Sequence, residues 1–313
     1  MSTETNSPVT RLFDGVANSA RFIRDKFEAF EGDRLGQIGL VILATFIFIG
    51  IFARPITIDF LNITIPGLAP HDPTATRVGG RLEPPSLEHP LGTTVLGRDV
   101  FSQLIAGTRV TLLVGSLAAF MAVFIGTNIG LVSAYFGGWV DDVLMRITDI
   151  VYAVPFLPFA IVLVAILGSS IVNIIVAIVL VLWRSTARVI RSQVLSHKQR
   201  PYVESAEAIG ASHVRIMYLH ILPNVLPLAF LYAAFAVGWA VIAEASLSFL
   251  GFGDPTMLSW GEMIFNVYTA DAIRVAWWWV FPPGIAIMLF VMSVFFIGRT
   301  LEKVVNPELR HQE

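Results

Sequence analysis

Cysteine is absent from all 313 residues, which removes disulfides, thiolate nucleophiles, iron–sulfur clusters and cysteine zinc sites together. Charge is scarce as well: only 14% of residues are Asp, Glu, Lys or Arg, and the formal net charge is −2. No run of Arg and Lys interleaved with aromatics occurs, so the footprint of a nucleic-acid partner is missing. There is no GxxxxGK(S/T) loop, so any use of ATP depends on another chain. The HExxH, paired-aspartate and Ser/His arrangements of a membrane-embedded hydrolase are missing from the apolar stretches. The first thirty-odd residues carry charges of both signs and lack the pattern of a secretory signal, so the first hydrophobic segment is expected to stay as an anchor.

What fills the chain is apolar: 55% of residues are hydrophobic and the mean hydropathy is +0.73. A helix crossing the hydrocarbon core needs roughly 20 apolar residues, because no unpaired backbone group is tolerated there. Six stretches come near that length: Leu35 to Phe52, Val110 to Tyr135, Val151 to Leu167, Ile171 to Val189, Val225 to Leu250 and Phe281 to Gly298. The expected fold is therefore an all-α integral membrane protein with six transmembrane helices. The fourth stretch must either snorkel Arg184 and Arg188 or stop near Trp183. Ahead of the first span, Leu12, Val16, Ala20, Ile23, Phe27 and Phe30 repeat at helical spacing, as in a helix lying on a membrane surface.

Placing the N-terminus in the cytoplasm puts fifteen of the 21 basic residues on that side. Five of the other six fall between Arg54 and Arg109, in a loop long enough to weaken the rule. The expected division is a cytoplasmic segment 1–34, a first span 35–52, an extracytoplasmic loop 53–109, a core 110–300 and a cytoplasmic tail 301–313. Trp277, Trp278 and Trp279 fit an aromatic belt at the outer interface.

Between the fourth and fifth spans, PYVESAEAIGASHVRIMYLHILPN (Pro201 to Asn224) is as long as a span and far too polar to be one. Its pattern predicts a short helix, a bend at Gly210 and a second helix, closed by Pro223. Small side chains at Ser205, Ala206, Ala208, Gly210 and Ala211 would admit another protein's backbone. Glu204 and Glu207 offer acceptors to its Arg or Lys. The same composition also suits an amphipathic connector.

This stretch resembles the EAA loop of ABC importer permeases: Glu-Ala-Ala, three residues, Gly, nine residues, Ile, any residue, Leu-Pro. Glu204, Ser205, Ala206, Gly210, His220, Leu222 and Pro223 stand at the matching positions, with Ser205 and His220 as departures. The HILPN run is similar to the peptide and nickel branch of that family. His89 to Gly115 resembles the segment leading into the second span of its dipeptide, oligopeptide and nickel permeases, and Ala243 to Pro255 the end of their fifth span. Within the pair of permeases such systems use, the chain resembles the C-type subunit.

The resemblance implies a type I importer permease fold in which the EAA loop is a coupling helix seated in a cytoplasmic ATPase. Glu204, Ser205, Ala206, Gly210, Leu222 and Pro223 would form the ATPase-coupling surface. The implied partners are a homologous sister permease, two ABC ATPase subunits, an extracytoplasmic substrate-binding protein and membrane lipid. ATP and Mg²⁺ would be bound by the ATPases, with no cofactor, catalytic group or metal in this chain.

Three further features stay open. Glu244 is the one acid far inside a span, suited to a structural hydrogen bond or to contact with solute along a pathway. Pro155 and Pro158, and the glycines at 115, 126 and 130, permit kinks and close helix contacts. His71, Asp72, His89 and Asp99 share the outer loop at a spacing that matches no metal motif. An ion-coupled secondary transporter is the competing reading; it predicts inverted repeats, and no repeat is evident between the halves.

Overall fold

The structure is a computed structural model, and it describes residues 33–58 and 63–305. The amphipathic pattern from Leu12 to Phe30 and the tail from residue 306 lie outside the described residues. In chain order the elements are α1 (Arg34–Phe52), β1 (Ile56–Ile58), β2 (Ile63–Ile65), α2 (Val100–Phe136), α3 (Gly138–Ala153), α4 (Phe156–Leu167), α5 (Ile171–Lys198), α6 (Pro201–Ala208), α7 (His213–Phe252), α8 (Trp260–Thr269) and α9 (Trp277–Val305). Helices α1, α2, α5, α7 and α9 are each long and apolar enough to cross a membrane. The bent pair α3 and α4, which meet at 91°, together pass the same test and make a sixth crossing if they act as one span. Strands β1 and β2 form one antiparallel hairpin with Ile56 opposite Ile65, a small departure from an all-α chain.

The break in the third crossing follows from Pro155. A proline disfavours helical geometry in the residue before it, and Val154 accordingly takes an extended conformation (φ −85°, ψ 119°). Pro158 causes no break, because it falls in the first turn of α4, where its missing N–H is harmless. The stretch from Val151 to Leu167, where the two prolines were expected to permit a kink, is thus divided between two helices, with the break at Pro155 alone.

Close approach of α2 and α5 depends on two glycines one turn apart. A β-carbon at Gly126 would overlap the Trp183 carbonyl oxygen, and one at Gly130 the Ala187 carbonyl oxygen. Small residues at this spacing let two membrane helices touch backbone to backbone. Helix α5 runs unbroken past its arginines because α3 supplies their partners. Arg184 Nη1 donates to the Val151 carbonyl at 2.6 Å, Arg188 pairs with Asp149 at 2.5 Å, and Arg191 makes two bonds to Asp141 at 2.6 and 2.5 Å. Arg184 and Arg188 also lie over the Tyr152 ring, at 4.7 and 4.0 Å.

Helix α2 starts ten residues before the expected span. Its N-cap is Asp99, whose carboxylate accepts the Ser102 N–H at 2.8 Å, so the last ten residues of the stretch 53–109 are already helical. At 1.5 Å per residue α2 is about 55 Å long, enough to project beyond a hydrocarbon core of about 30 Å. The tryptophans also depart from expectation. Trp278 and Trp279 are buried, and Trp278 Nε1 donates to the Thr93 carbonyl at 3.3 Å; only Trp277 is largely exposed. Two of the three rings therefore hold the loop before α2 against α9 instead of forming a belt.

Candidate functional site

Pro201 to Asn224 folds as a helix, a tight turn and a second helix. Pro201 opens α6 at its first position, where the missing N–H costs nothing. The end of α6 is a Schellman turn: Ala211 N–H returns to the Ala206 carbonyl at 3.0 Å, and Gly210 N–H to the Glu207 carbonyl at 2.9 Å. Gly210 sits at φ +76°, the left-handed conformation this turn requires. Ser212 then caps α7 by accepting the Arg215 N–H. The first turns of α7 adopt π geometry over Ile216–Ile221, immediately before Pro223.

The six residues expected to couple to an ATPase divide into two groups. Glu204, Ser205, Gly210 and Pro223 are exposed, whereas Ala206 is buried and Leu222 half-buried. Ala206 and Val203 enter a core cluster with Leu131, Ile190, Ile216 and Met217, which fastens α6 to α2, α5 and α7. Polar contacts reinforce that base. Tyr135 Oη and His213 Nδ1 are 2.8 Å apart, Lys198 Nζ donates to the Tyr135 carbonyl at 2.6 Å, and His197 Nδ1 meets Tyr202 Oη at 3.0 Å. The result is a rigid foot with an open sole. Sequence reasoning missed the apolar part of that sole: Ile209 is 84% exposed and Val214 62%, on either side of Gly210. Their signal was an apolar residue on each flank of a turn glycine within an otherwise polar stretch.

Glu244 lies elsewhere, near the opposite end of α7 from this foot. It is 3% exposed, its Oε1 accepts the Ser248 hydroxyl at 2.7 Å, and its Oε2 has no hydrogen-bond partner among the described residues. Gly253 and Gly261 let α8 close over it: a β-carbon at Gly253 would meet Glu262 Oε2 at 2.7 Å and Ser248 Oγ at 2.9 Å. Burial, together with the negative charges of Glu244 and Asp254, raises the Glu262 carboxyl to about 7. Beside the break between α3 and α4, a cavity of about 290 Å³ is lined by Tyr152, Phe156, Arg184, Tyr232 and Trp239, among others.

Residues 122–311 match the family described as "Binding-protein-dependent transport system inner membrane component". The chain is 36% identical over 288 residues to the dipeptide transport system permease protein DppC of Alkalihalophilus pseudofirmus, covering 92% of this chain and 90% of that one. It is 34% identical to the oligopeptide transport system permease protein OppC of Bacillus subtilis, with the same coverage. It is 38% identical to the glutathione transport system permease protein GsiD of Pectobacterium atrosepticum, over 73% of this chain and 75% of that one. In fold it resembles a chain of the inward-facing MetNI methionine ABC transporter, with a TM-score of 0.52 at 18% identity, covering 66% of this chain and 95% of that one. Family, relatives and fold agree against an ion-coupled carrier. The chain belongs to the binding-protein-dependent transport system inner membrane components, multi-pass permease subunits of ABC importers that work with partner ATPases and a solute-binding protein.

Proposed function

We propose that this chain forms half of a translocation pathway for dipeptides, oligopeptides or similarly small solutes, beside a homologous sister permease. The substrate class rests on the relatives named for dipeptide, oligopeptide and glutathione transport. Both termini are cytoplasmic in this reading, as the distribution of Lys and Arg favours. Residues 201–224 dock on a cytoplasmic ATPase. ATP and Mg²⁺ are held by the two ATPase subunits rather than by this chain.

The observation that carries the docking assignment is the contrast between the two sides of α6 and the turn that ends it. Ala206 is buried against the bundle, while Glu204, Ile209 and Gly210 stand exposed on the other side. A partner's push on that exposed side passes through Val203, Ala206 and Tyr135 into α2 and α5 without first bending the loop. Pro223 and the half-buried Leu222 begin the rigid stem above it. The cavity beside the α3–α4 break is assigned to solute contact. Its aromatic rings suit apolar side chains and Arg184 a carboxylate, while Glu244 supports the packing of α8 and lies off the path.

Glu204→Lys tests the docking. In the assembled complex reconstituted in vesicles, it should insert and assemble normally, lose uptake, and leave ATP hydrolysis no longer stimulated by solute and binding protein. Normal uptake by Glu204→Lys and by Ile209→Asp together would remove the docking assignment.

A further inference from the structure

We propose that His71, His89 and Asp99 form a binding site for a zinc-class divalent cation in the outer loop. Three donor atoms, one from each residue, lie within 4.8 Å of one another. His89 Nδ1 is 3.0 Å from Asp99 Oδ1, and His71 Nδ1 is 3.8 Å from Asp99 Oδ2. The first is a hydrogen bond; the second is too long to be one. His71 Nδ1 is nevertheless out of reach of water and has no hydrogen-bond partner among the described residues. A buried ring nitrogen facing a carboxylate oxygen across such a gap is an incomplete arrangement for protons and a suitable one for a metal. Bonds of about 2.0–2.2 Å at tetrahedral angles separate two donors by roughly 3.3–3.5 Å, which the two observed distances bracket.

The surroundings hold the donors in place. Asp99 is fully buried and its Oδ2 accepts the Ser102 N–H at 2.8 Å, while Ser102 Oγ accepts the His71 N–H at 3.0 Å. One residue in the first turn of α2 thus orients two of the three ligands, as outer-shell contacts do in metal sites. His89 is 2% exposed, and a β-carbon at Gly79 would lie 2.6 Å from its Nε2. The ring is therefore wedged with Nδ1 toward the carboxylate. On taking the cation, His89 Nδ1 gives up its proton and its bond to Oδ1, while Oδ2 keeps a lone pair beyond the Ser102 bond. Two neutral imidazoles and one carboxylate make a three-ligand set, and the fourth position opens on the side where the His71 side chain is 27% exposed. A cation there would staple two stretches of the loop, at His71 and His89, to the start of α2 at Asp99.

The test is a zinc titration of the full-length chain, purified in detergent on a tag free of histidine, stripped of metal and competed against a chromophoric chelator. Absence of cysteine removes thiolate competition. Wild type should bind one equivalent, and His71→Phe should weaken binding by at least about 100-fold. His71→Phe keeps an aromatic ring beside His89 and the backbone bond to Ser102, so its fold is checked by an unchanged elution profile and apo unfolding midpoint. His197→Ala should bind as wild type does. Zinc should raise the unfolding midpoint of wild type and leave that of His71→Phe unmoved. Less than stoichiometric binding by wild type, equal affinity in His71→Phe, or an equal zinc-induced midpoint rise in both would each overturn the proposal.

Discussion

The outer loop and the 201–224 segment are both polar connectors between membrane helices, and they use polarity in opposite ways. In the loop before α2 the polar atoms turn inward: Thr93, Asp99 and His89 are each 2% exposed or less, His89 bonds Asp99, and the Thr93 hydroxyl accepts the Glu83 N–H and donates to the Gly80 carbonyl. In the 201–224 segment the apolar atoms turn inward, and the carboxylates of Glu204 and Glu207 face outward with Ile209. The first loop spends its hydrogen bonds on its own shape. The second gets its shape from packing and a turn glycine, leaving its charges exposed. A change in charge should therefore damage the first as structure and the second as transport.

The comparison breaks most clearly at Asp99. Asp99→Ala removes the N-cap of α2 and leaves buried His89 without its acceptor. The expected loss is about 2–4 kcal/mol, read as a lower thermal unfolding midpoint in detergent. Glu204→Lys should move the same midpoint by no more than about 0.5 kcal/mol while abolishing uptake. A loss of similar size in both variants would erase the distinction. Within α6 the contrast repeats on a smaller scale. Ala206→Glu buries an unpaired carboxylate and should cost about 2–3 kcal/mol, whereas Ser205→Ala, losing only an exposed bond to the Pro201 carbonyl, should cost less than about 0.5. Gly210→Ala lies between them at about 1 kcal/mol: the φ of +76° strains any β-carbon, although nothing lies within 4 Å of one. If Gly210→Ala keeps uptake while Gly210→Trp loses it at equal stability, close approach of a partner is the reason for glycine there.

Much of this was legible in the chain, because lipid and water impose opposite compositions on segments of span length. The apolar runs marked the crossings, and Pro201, Gly210 and Pro223 marked the helix, turn and stem. Hydropathy does not say which side of a helix meets protein, so Trp278 and Trp279 read as an interfacial belt although they are buried. Pro155 announced a bend but not its 91°. The approach of His71 to His89 and Asp99 was invisible for another reason. A loop without a period carries no spacing rule, and only its turns, held by pairs such as Arg77 N–H to the Leu96 carbonyl, bring distant residues together. Ile209 was passed over because a single exposed apolar residue is ordinary until its neighbours are seen to be buried.

The smallest expected effect concerns pH and belongs to the end of α7 opposite the 201–224 segment. Glu262 is raised to about 7, first by burial and then by the charges of Glu244 and Asp254, from an ordinary value of 4.5. Between those two values the folded chain holds a proton that the unfolded chain has released. Stability supplied by this group is thus complete below about 4.5 and declines as pH rises toward 7. Because the side chain is only half-buried, solvent screens the charges and the slope is shallow. Glu262→Gln, which cannot ionise, should flatten the unfolding midpoint across that window and leave the response of Glu204→Lys to pH as in wild type. An unchanged slope in Glu262→Gln would assign the titration to another group, and a rising slope in wild type would reverse the sign argued here.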